Sequence, residues 1–90
     1  MKKLVKVEEV EGEGLLSFMG QRITLFCLNY IYTGTLVGVN DQFVKLEDAA
    51  IVYETGAFTD KSWKDAQAIP GKEWYIQTAM IESFGLLKQE

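Results

Sequence analysis

Three runs of β-branched and aromatic residues follow one another in the middle of this chain, with only short gaps between them. They occupy residues 22–29, 31–39 and 42–54, and they indicate three consecutive strands. Asn40 and Asp41 lie between the second and third runs, and both residue types tolerate turn geometry. The pattern therefore predicts a β-hairpin with its corner at Asn40-Asp41, and it raises the question of whether that corner also binds a ligand.

Two further runs, residues 73–78 and 80–87, bring the number of predicted strands to five. Before the first strand, residues 13–20 fit a short helical turn. Gly20 would end this turn, since glycine often follows the last residue of a helix. The chain is thus predicted to be all-β, with one short helical turn before the first strand.

The length of the chain, 90 residues, is enough for one small domain. Residues 1–14 are charged, end in Glu-Gly-Glu-Gly, and are predicted to form a mobile arm. Residues 15–87 form the predicted domain, within which residues 55–72 are a long loop. Trp63 is expected to pin this loop to the body of the domain.

The third strand contains an irregularity. Its predicted core residues repeat with period two and are Val44, Leu46, Ala50 and Val52. Asp48 interrupts this apolar face, which indicates a bulge or bend near residues 47–49. Gly34 and Gly38 lie in the second strand, where glycine usually marks a bend or a close approach of two backbones. The sheet is therefore predicted to be strongly curved.

Composition argues against most catalytic chemistry. The chain has no histidine and one cysteine, Cys27, so it lacks a Ser-His or Cys-His pair, a His-Cys zinc cluster and an intrachain disulfide. Glu47 and Asp48 are neighbours in a strand and point to opposite faces. We therefore predict that the protein is not an enzyme, uses no cofactor and no metal, and keeps Cys27 as a small buried residue.

Net charge and hydropathy limit the classes of partner that the chain is expected to contact. The formal net charge is −4, and an acidic chain repels phosphate at long range. No apolar run approaches the roughly 20 residues that a membrane helix needs. The lack of a disulfide framework fits a reducing compartment. A cytoplasmic protein without membrane contact is predicted.

Two segments resemble the two motifs of the Sm-like family. The stretch from Tyr32-x-Gly34-x-Leu36 through Asn40-Asp41 to Leu46-Glu47-Asp48-Ala49 is similar to the first motif, which runs Gly-x-Leu, an Asp turn, and a Leu near Asp-Ala. Residues 74–81, Trp-Tyr-Ile-Gln-Thr-Ala-Met-Ile, are similar to the second, in which two strands meet at an Arg-Gly corner. The resemblance spans roughly residues 14–86. More closely, the chain resembles small Sm-like proteins of presumed phage origin in marine samples.

The resemblance implies a short N-terminal helix followed by a strongly bent five-stranded antiparallel sheet, a small open barrel of the Sm-like, SH3 type. It also implies a homo-oligomeric ring of five to seven subunits, in which strand four pairs with strand five of the next copy. Unpaired apolar edges would otherwise favour aggregation. The predicted interface residues are Trp74, Tyr75, Ile76, Met80, Ile81 and Phe84. In the alternative, the 55–72 loop or the N-terminal arm covers an edge of a monomer.

In RNA-binding members of the family, uridine is bound at the pore. By position, the resemblance implies an RNA site made of Asn40, Asp41, Phe43, Gln77 and Thr78. Phe43 falls near the stacking position, and Gln77 and Thr78 replace the Arg and Gly of the second motif. Gln lacks the charge and the planar fork of Arg. Phe43 as a core residue, and Asn40-Asp41 as a plain turn, remain alternatives.

Two functions follow from these expectations. The first is a ring that binds single-stranded RNA weakly at its pore. The alternative is an oligomeric protein-interaction scaffold that has lost the RNA site and uses the 55–72 loop, with Phe58 and Trp63, as its contact surface.

Overall fold

The computed structural model describes residues 13–89 and shows one antiparallel sheet of six strands. Two short 3-10 turns accompany the sheet, at Leu15–Phe18 and Thr78–Met80, and the described residues form no longer helix. The strands are β1 (Arg22–Cys27), β2 (Ile31–Val39), β3 (Phe43–Glu54), β4 (Asp65–Ala68), β5 (Glu73–Gln77) and β6 (Ile81–Gly85).

The strand order is β4-β3-β2-β1-β6, and β5 also pairs with β3. β5 pairs with the first half of β3, residues 43–47, whereas β4 pairs with the second half, residues 50–54. Both therefore lie on the side of β3 that faces away from β2. β5 pairs only with β3 and β6 only with β1 within residues 13–89, so each presents one edge without a strand partner there. The sheet is not closed by strand pairing.

The all-β prediction is confirmed, and the five predicted strands are all present. The number five was wrong, because a sixth strand, β4, lies inside the segment predicted as a loop at 55–72. Its sequence, Asp-Ala-Gln-Ala, has little β propensity, and its strand conformation comes from pairing with β3. The predicted helix is a single 3-10 turn. Most of the predicted arm, residues 1–12, lies outside the described residues.

The bulge predicted near residues 47–49 is confirmed. Thr33 pairs with Ala50 and Thr35 with Glu47, so Gly34 alone lies opposite two residues of β3. One of these two, Asp48, has φ 50°, a conformation that only short polar residues and glycine adopt readily. The bulge bends β3 at the boundary between its β5-paired and β4-paired halves.

Gly34 is required by this close approach. A Cβ atom at position 34 would lie 3.1 Å from the Glu47 carbonyl oxygen, 3.1 Å from Leu46 Cβ and 3.2 Å from Ala49 Cα. Two of these atoms belong to the backbone, which has little freedom to move aside. An added methyl group therefore forces the two strands apart.

We expect Gly34→Ala to lower the free energy of unfolding by about 1–3 kcal/mol, the range typical of overpacking. Gly38→Ala is the matched control in the same strand, because the nearest atom there, Lys45 Cβ, is an ordinary 3.4 Å away. Urea denaturation at one fixed protein concentration measures both variants. Equal midpoints for the two would contradict this account of Gly34.

The core is formed by residues of β1, β2, β3 and β5. Its buried members are Ile23, Leu25, Leu36, Val44, Leu46, Ala49 and Ile76. Leu15 and Phe18 of the first 3-10 turn pack against it, and the Phe18 ring meets the Phe84 ring of β6 edge to face at 6.2 Å between centroids. The turn thus covers one end of the core and supports β6.

Candidate functional site at the corner between β2 and β3

Asn40 builds the corner through its side chain. Its Oδ1 accepts hydrogen bonds from the backbone N–H groups of Gln42 (2.8 Å) and Phe43 (2.7 Å), and its own N–H donates to the Phe43 carbonyl (2.9 Å). A short amide side chain is suited to this because it reaches the backbone two and three residues ahead. The structure thus gives Asn40 a structural role, with its side-chain oxygen already holding two donors.

The corner is also joined to the second motif. The Thr78 hydroxyl donates to the Asp41 carbonyl at 2.7 Å, and the Thr78 N–H donates to the Gln42 carbonyl at 2.9 Å. These two bonds connect the corner to the start of the second 3-10 turn. Thr78 lies 37 positions after Asp41 in the chain. The corner is therefore not a free hairpin tip.

These contacts form an open cleft of about 280 Å³. Its lining residues are Asp41, Gln42, Phe43, Gln77, Thr78 and Ala79. Four of the five residues predicted for RNA binding therefore lie together here, and Asn40 shapes the corner behind them. The volume lies at the small end of the range for ligand pockets.

Phe43 is not a core residue: 39% of its surface is exposed. Its ring meets that of Tyr75 on β5 edge to face, with centroids 6.3 Å apart, and Tyr75 is 55% exposed. Such pairs stabilise each other's orientation. The cleft therefore has an aromatic wall that is held in place and open to solvent.

Lys45 provides a positive charge next to this aromatic pair. Its Nζ lies 3.2 Å from a Glu73 carboxylate oxygen and 5.8 Å from the centre of the Tyr75 ring. The hydrogen bond to Glu73 raises the pKa of Lys45; desolvation opposes this rise, and the charge of Glu73 and the nearby Tyr75 add to it. Lys45 thus stays an ammonium group throughout the neutral range.

Four of the predicted interface residues have exposed side chains: Trp74, Tyr75, Met80 and Phe84. Ile81 is partly buried. Only 5% of Ile76 is exposed, and its side chain belongs to the core. Side chains alternate along a strand, so Ile76 points inward where Tyr75 and Gln77 point outward.

The unpaired edge of β5 is defined by its hydrogen bonds. Because the Thr78 N–H donates to the Gln42 carbonyl, antiparallel alternation directs the N–H groups of Ile76 and Trp74 toward β3 as well. The N–H groups of Tyr75 and Gln77 then point away from β3. Both are donors that a further strand would satisfy.

A second cleft, of about 290 Å³, lies beside β5. It is lined by Cys27, Asn29, Tyr30, Tyr32, Tyr75, Ile76, Gln77 and Met80.

Cys27, predicted to be buried, is half-buried here. Burial, and after it the charge of Glu82, raises the pKa of the Cys27 thiol. A raised pKa leaves less thiolate at neutral pH.

Cys27 is expected to alkylate more slowly in the folded protein than in the urea-unfolded chain at pH 7.5, because the thiolate is the reactive form. The difference between the folded and unfolded alkylation rates should become smaller as pH rises through the raised pKa of the thiol. Timed iodoacetamide labelling followed by mass spectrometry measures both rates. Equal rates at pH 7.5 would contradict a shielded thiol.

Sequence reasoning missed two lining residues, Gln42 and Ala79. Each adjoins a predicted site residue, and adjacency to Asp41 and Thr78 was the one available signal. Among residues 13–89, no three histidine, cysteine or carboxylate side chains gather as metal ligands would. None of the helices in that range is long and apolar enough to cross a membrane.

No protein-family model matches the chain, and no curated protein matches it.

Proposed function

We propose that the chain assembles head to tail into a ring through β5 and β6, and that the cleft at the β2–β3 corner binds a base of single-stranded RNA. The observation that carries the proposal is the convergence of Asp41, Phe43, Gln77 and Thr78 on one cleft, held by the Thr78–Asp41 hydrogen bond. The Sm-like resemblance predicted this set of residues from two segments far apart in the sequence.

Assembly is supported by the two strand edges. β5 and β6 both lack a second strand partner within residues 13–89, and exposed Trp74, Tyr75 and Phe84 belong to them. Each of these strands carries one charged residue, Glu73 on β5 and Glu82 on β6, beside its exposed apolar side chains. Edges this lightly charged pair readily with other chains. A head-to-tail contact that closes by rotation pairs all such edges at once and stops growth.

Base recognition is supported by the chemistry of the cleft. Phe43 offers a ring surface for stacking, an interaction of roughly 1–3 kcal/mol per base. The Gln77 amide both donates and accepts, so it complements a base edge. Lys45, beside Tyr75, offers a cation for a phosphate that takes the place of its present partner, the Glu73 carboxylate. The net charge of −4 opposes binding at long range, so the proposed affinity is micromolar or weaker.

Fluorescence anisotropy with labelled oligouridine and oligoadenine tests this function. At about 50 mM salt we expect saturable binding that weakens as salt rises to about 200 mM, because phosphate contacts release counterions. A blunt-ended DNA duplex, which has no unpaired bases, is the control and should not bind. Unchanged anisotropy of both oligonucleotides at the highest protein concentration would rule out the RNA site.

A protein-interaction scaffold is the second candidate, favoured by Phe58. This side chain is 56% exposed on the segment between β3 and β4, and its ring is held edge to face against Phe26 at 6.4 Å. A pull-down comparing Phe58→Ser with Tyr53→Ser, a control of similar exposure, tests it. A partner lost only with Phe58→Ser supports the scaffold, and a partner set that survives both substitutions excludes this contact.

A further inference from the structure

Lys88 is a buried lysine near the end of the chain. Only 9% of its surface is exposed, and its Nζ donates to three main-chain carbonyls: Thr55 (2.8 Å), Ala57 (2.6 Å) and Ser62 (3.0 Å). An ammonium group has three N–H donors, so this set satisfies all of them. Lys88 therefore organises the segment between β3 and β4 from within.

Further contacts fix the segment around Lys88. Its Nζ lies 5.0 Å from the centre of the Trp63 ring, within cation–π range. The preceding carbonyl, of Leu87, accepts a hydrogen bond from the Thr24 hydroxyl of β1 at 3.3 Å. Lys88 itself has φ 49°, which a residue with a Cβ adopts only where its surroundings hold it. The chain after β6 is thus anchored.

The topology shows what this anchor connects. Lys88 follows β6 by three residues, whereas its carbonyl partners lie between β3 and β4. β6 and β4 are at opposite ends of the strand order. Within residues 13–89 no strand pairing joins these two ends. The Lys88 ammonium spans them through three hydrogen bonds.

We infer that Lys88 closes the open sheet in place of strand pairing, and so sets the angle between the β5 and β6 edges. β5 and β4 both pair with β3, so fixing the end of β6 against the β3–β4 segment fixes the curvature of the whole sheet. In a ring, the rotation from one copy to the next follows from that angle. This inference rests on the proposed ring, and it assigns to Lys88 the choice of subunit number.

Lys88→Met tests the inference, because methionine retains the apolar stem and removes the three donors. Lys61→Met is the control, an exposed lysine on the same segment. Native mass spectrometry should give one subunit number for the wild type and Lys61→Met, and a shifted or mixed number for Lys88→Met. Hydrogen exchange in residues 55–63 should be at least about tenfold faster in Lys88→Met alone.

Each outcome decides a different claim. A wild-type ring whose subunit number is unchanged in a folded Lys88→Met overturns the role of Lys88 and leaves the ring standing. A monomeric wild type overturns the ring and this role together. Should Lys88→Met fail to fold by circular dichroism, Lys88→Arg retains the charge in a longer, forked side chain. A mixed subunit number is then expected, and an unchanged one overturns the inference.

Discussion

Tyr75→Pro is expected to convert the assembled protein into folded monomers, whereas Tyr75→Ala remains assembled. Both substitutions remove the same aromatic ring, but only proline removes the Tyr75 N–H and places a methylene group at the edge. That N–H points away from β3, so the pairing of β5 with β3 loses no hydrogen bond. Proline is tolerated on an edge strand for this reason.

Light scattering coupled to gel filtration measures the effect. Tyr75→Pro should elute with the mass of one chain, 10.2 kDa, and Tyr75→Ala with a multiple of it. Circular dichroism must show the same strand signal for both variants. A Tyr75→Pro assembly indistinguishable from that of Tyr75→Ala would show that the β5 edge does not carry the contact.

Phe43→Leu is expected to weaken binding of single-stranded RNA by roughly 5- to 150-fold, which corresponds to losing a base–aromatic stack of about 1–3 kcal/mol. Leucine fills most of the volume and keeps the hydrogen bonds that the Phe43 backbone makes with Asn40. The loss should therefore fall on stacking and leave the turn intact. Anisotropy titrations with oligouridine measure it.

Phe58→Leu is the matched control for Phe43→Leu. Phe58 is also an exposed aromatic residue with an edge-to-face partner, and it lies in the segment between β3 and β4 and does not line the cleft. We expect its affinity for RNA to equal that of the wild type. Equal losses in the two variants would locate binding elsewhere or attribute it to the fold as a whole.

Local residue chemistry was sufficient to predict most of the sheet. β-branched and aromatic runs marked five of the six strands, and Asp48 on an otherwise apolar face marked the bulge. The Asn40-Asp41 corner was likewise predicted from turn preference. These features depend on residues close together in the chain, so they can be predicted from local sequence patterns.

The remaining features depend on contacts between distant residues. β4 is a strand because β3 offers it an edge, although Asp-Ala-Gln-Ala has little tendency to form one. Ile76 belongs to the core because β5 packs with that face inward. Lys88 is buried by carbonyls 26 to 33 positions away, and a lone lysine near a terminus normally indicates solvent exposure.

In the candidate cleft too, some features were predicted from the sequence and others depend on the three-dimensional geometry. Phe43 and Gln77 were placed by the resemblance to two separate motifs, and they pair directly across β3 and β5. The sequence did not predict that two backbone N–H groups donate to the Asn40 side-chain oxygen. An asparagine amide is equally suited to hydrogen-bonding within a turn and to hydrogen-bonding a ligand. Only the geometry distinguishes a residue that builds the corner from one that faces the cleft.

Hydrogen exchange at the Tyr75 and Gln77 amides, followed over a dilution series, tests most directly whether a neighbouring copy completes the sheet. Both N–H groups point away from β3, so only a strand from another molecule protects them in this account. We predict slow exchange in concentrated protein and fast exchange once dilution separates the copies. Fast exchange of both amides at every concentration, in protein that stays folded, would contradict the account.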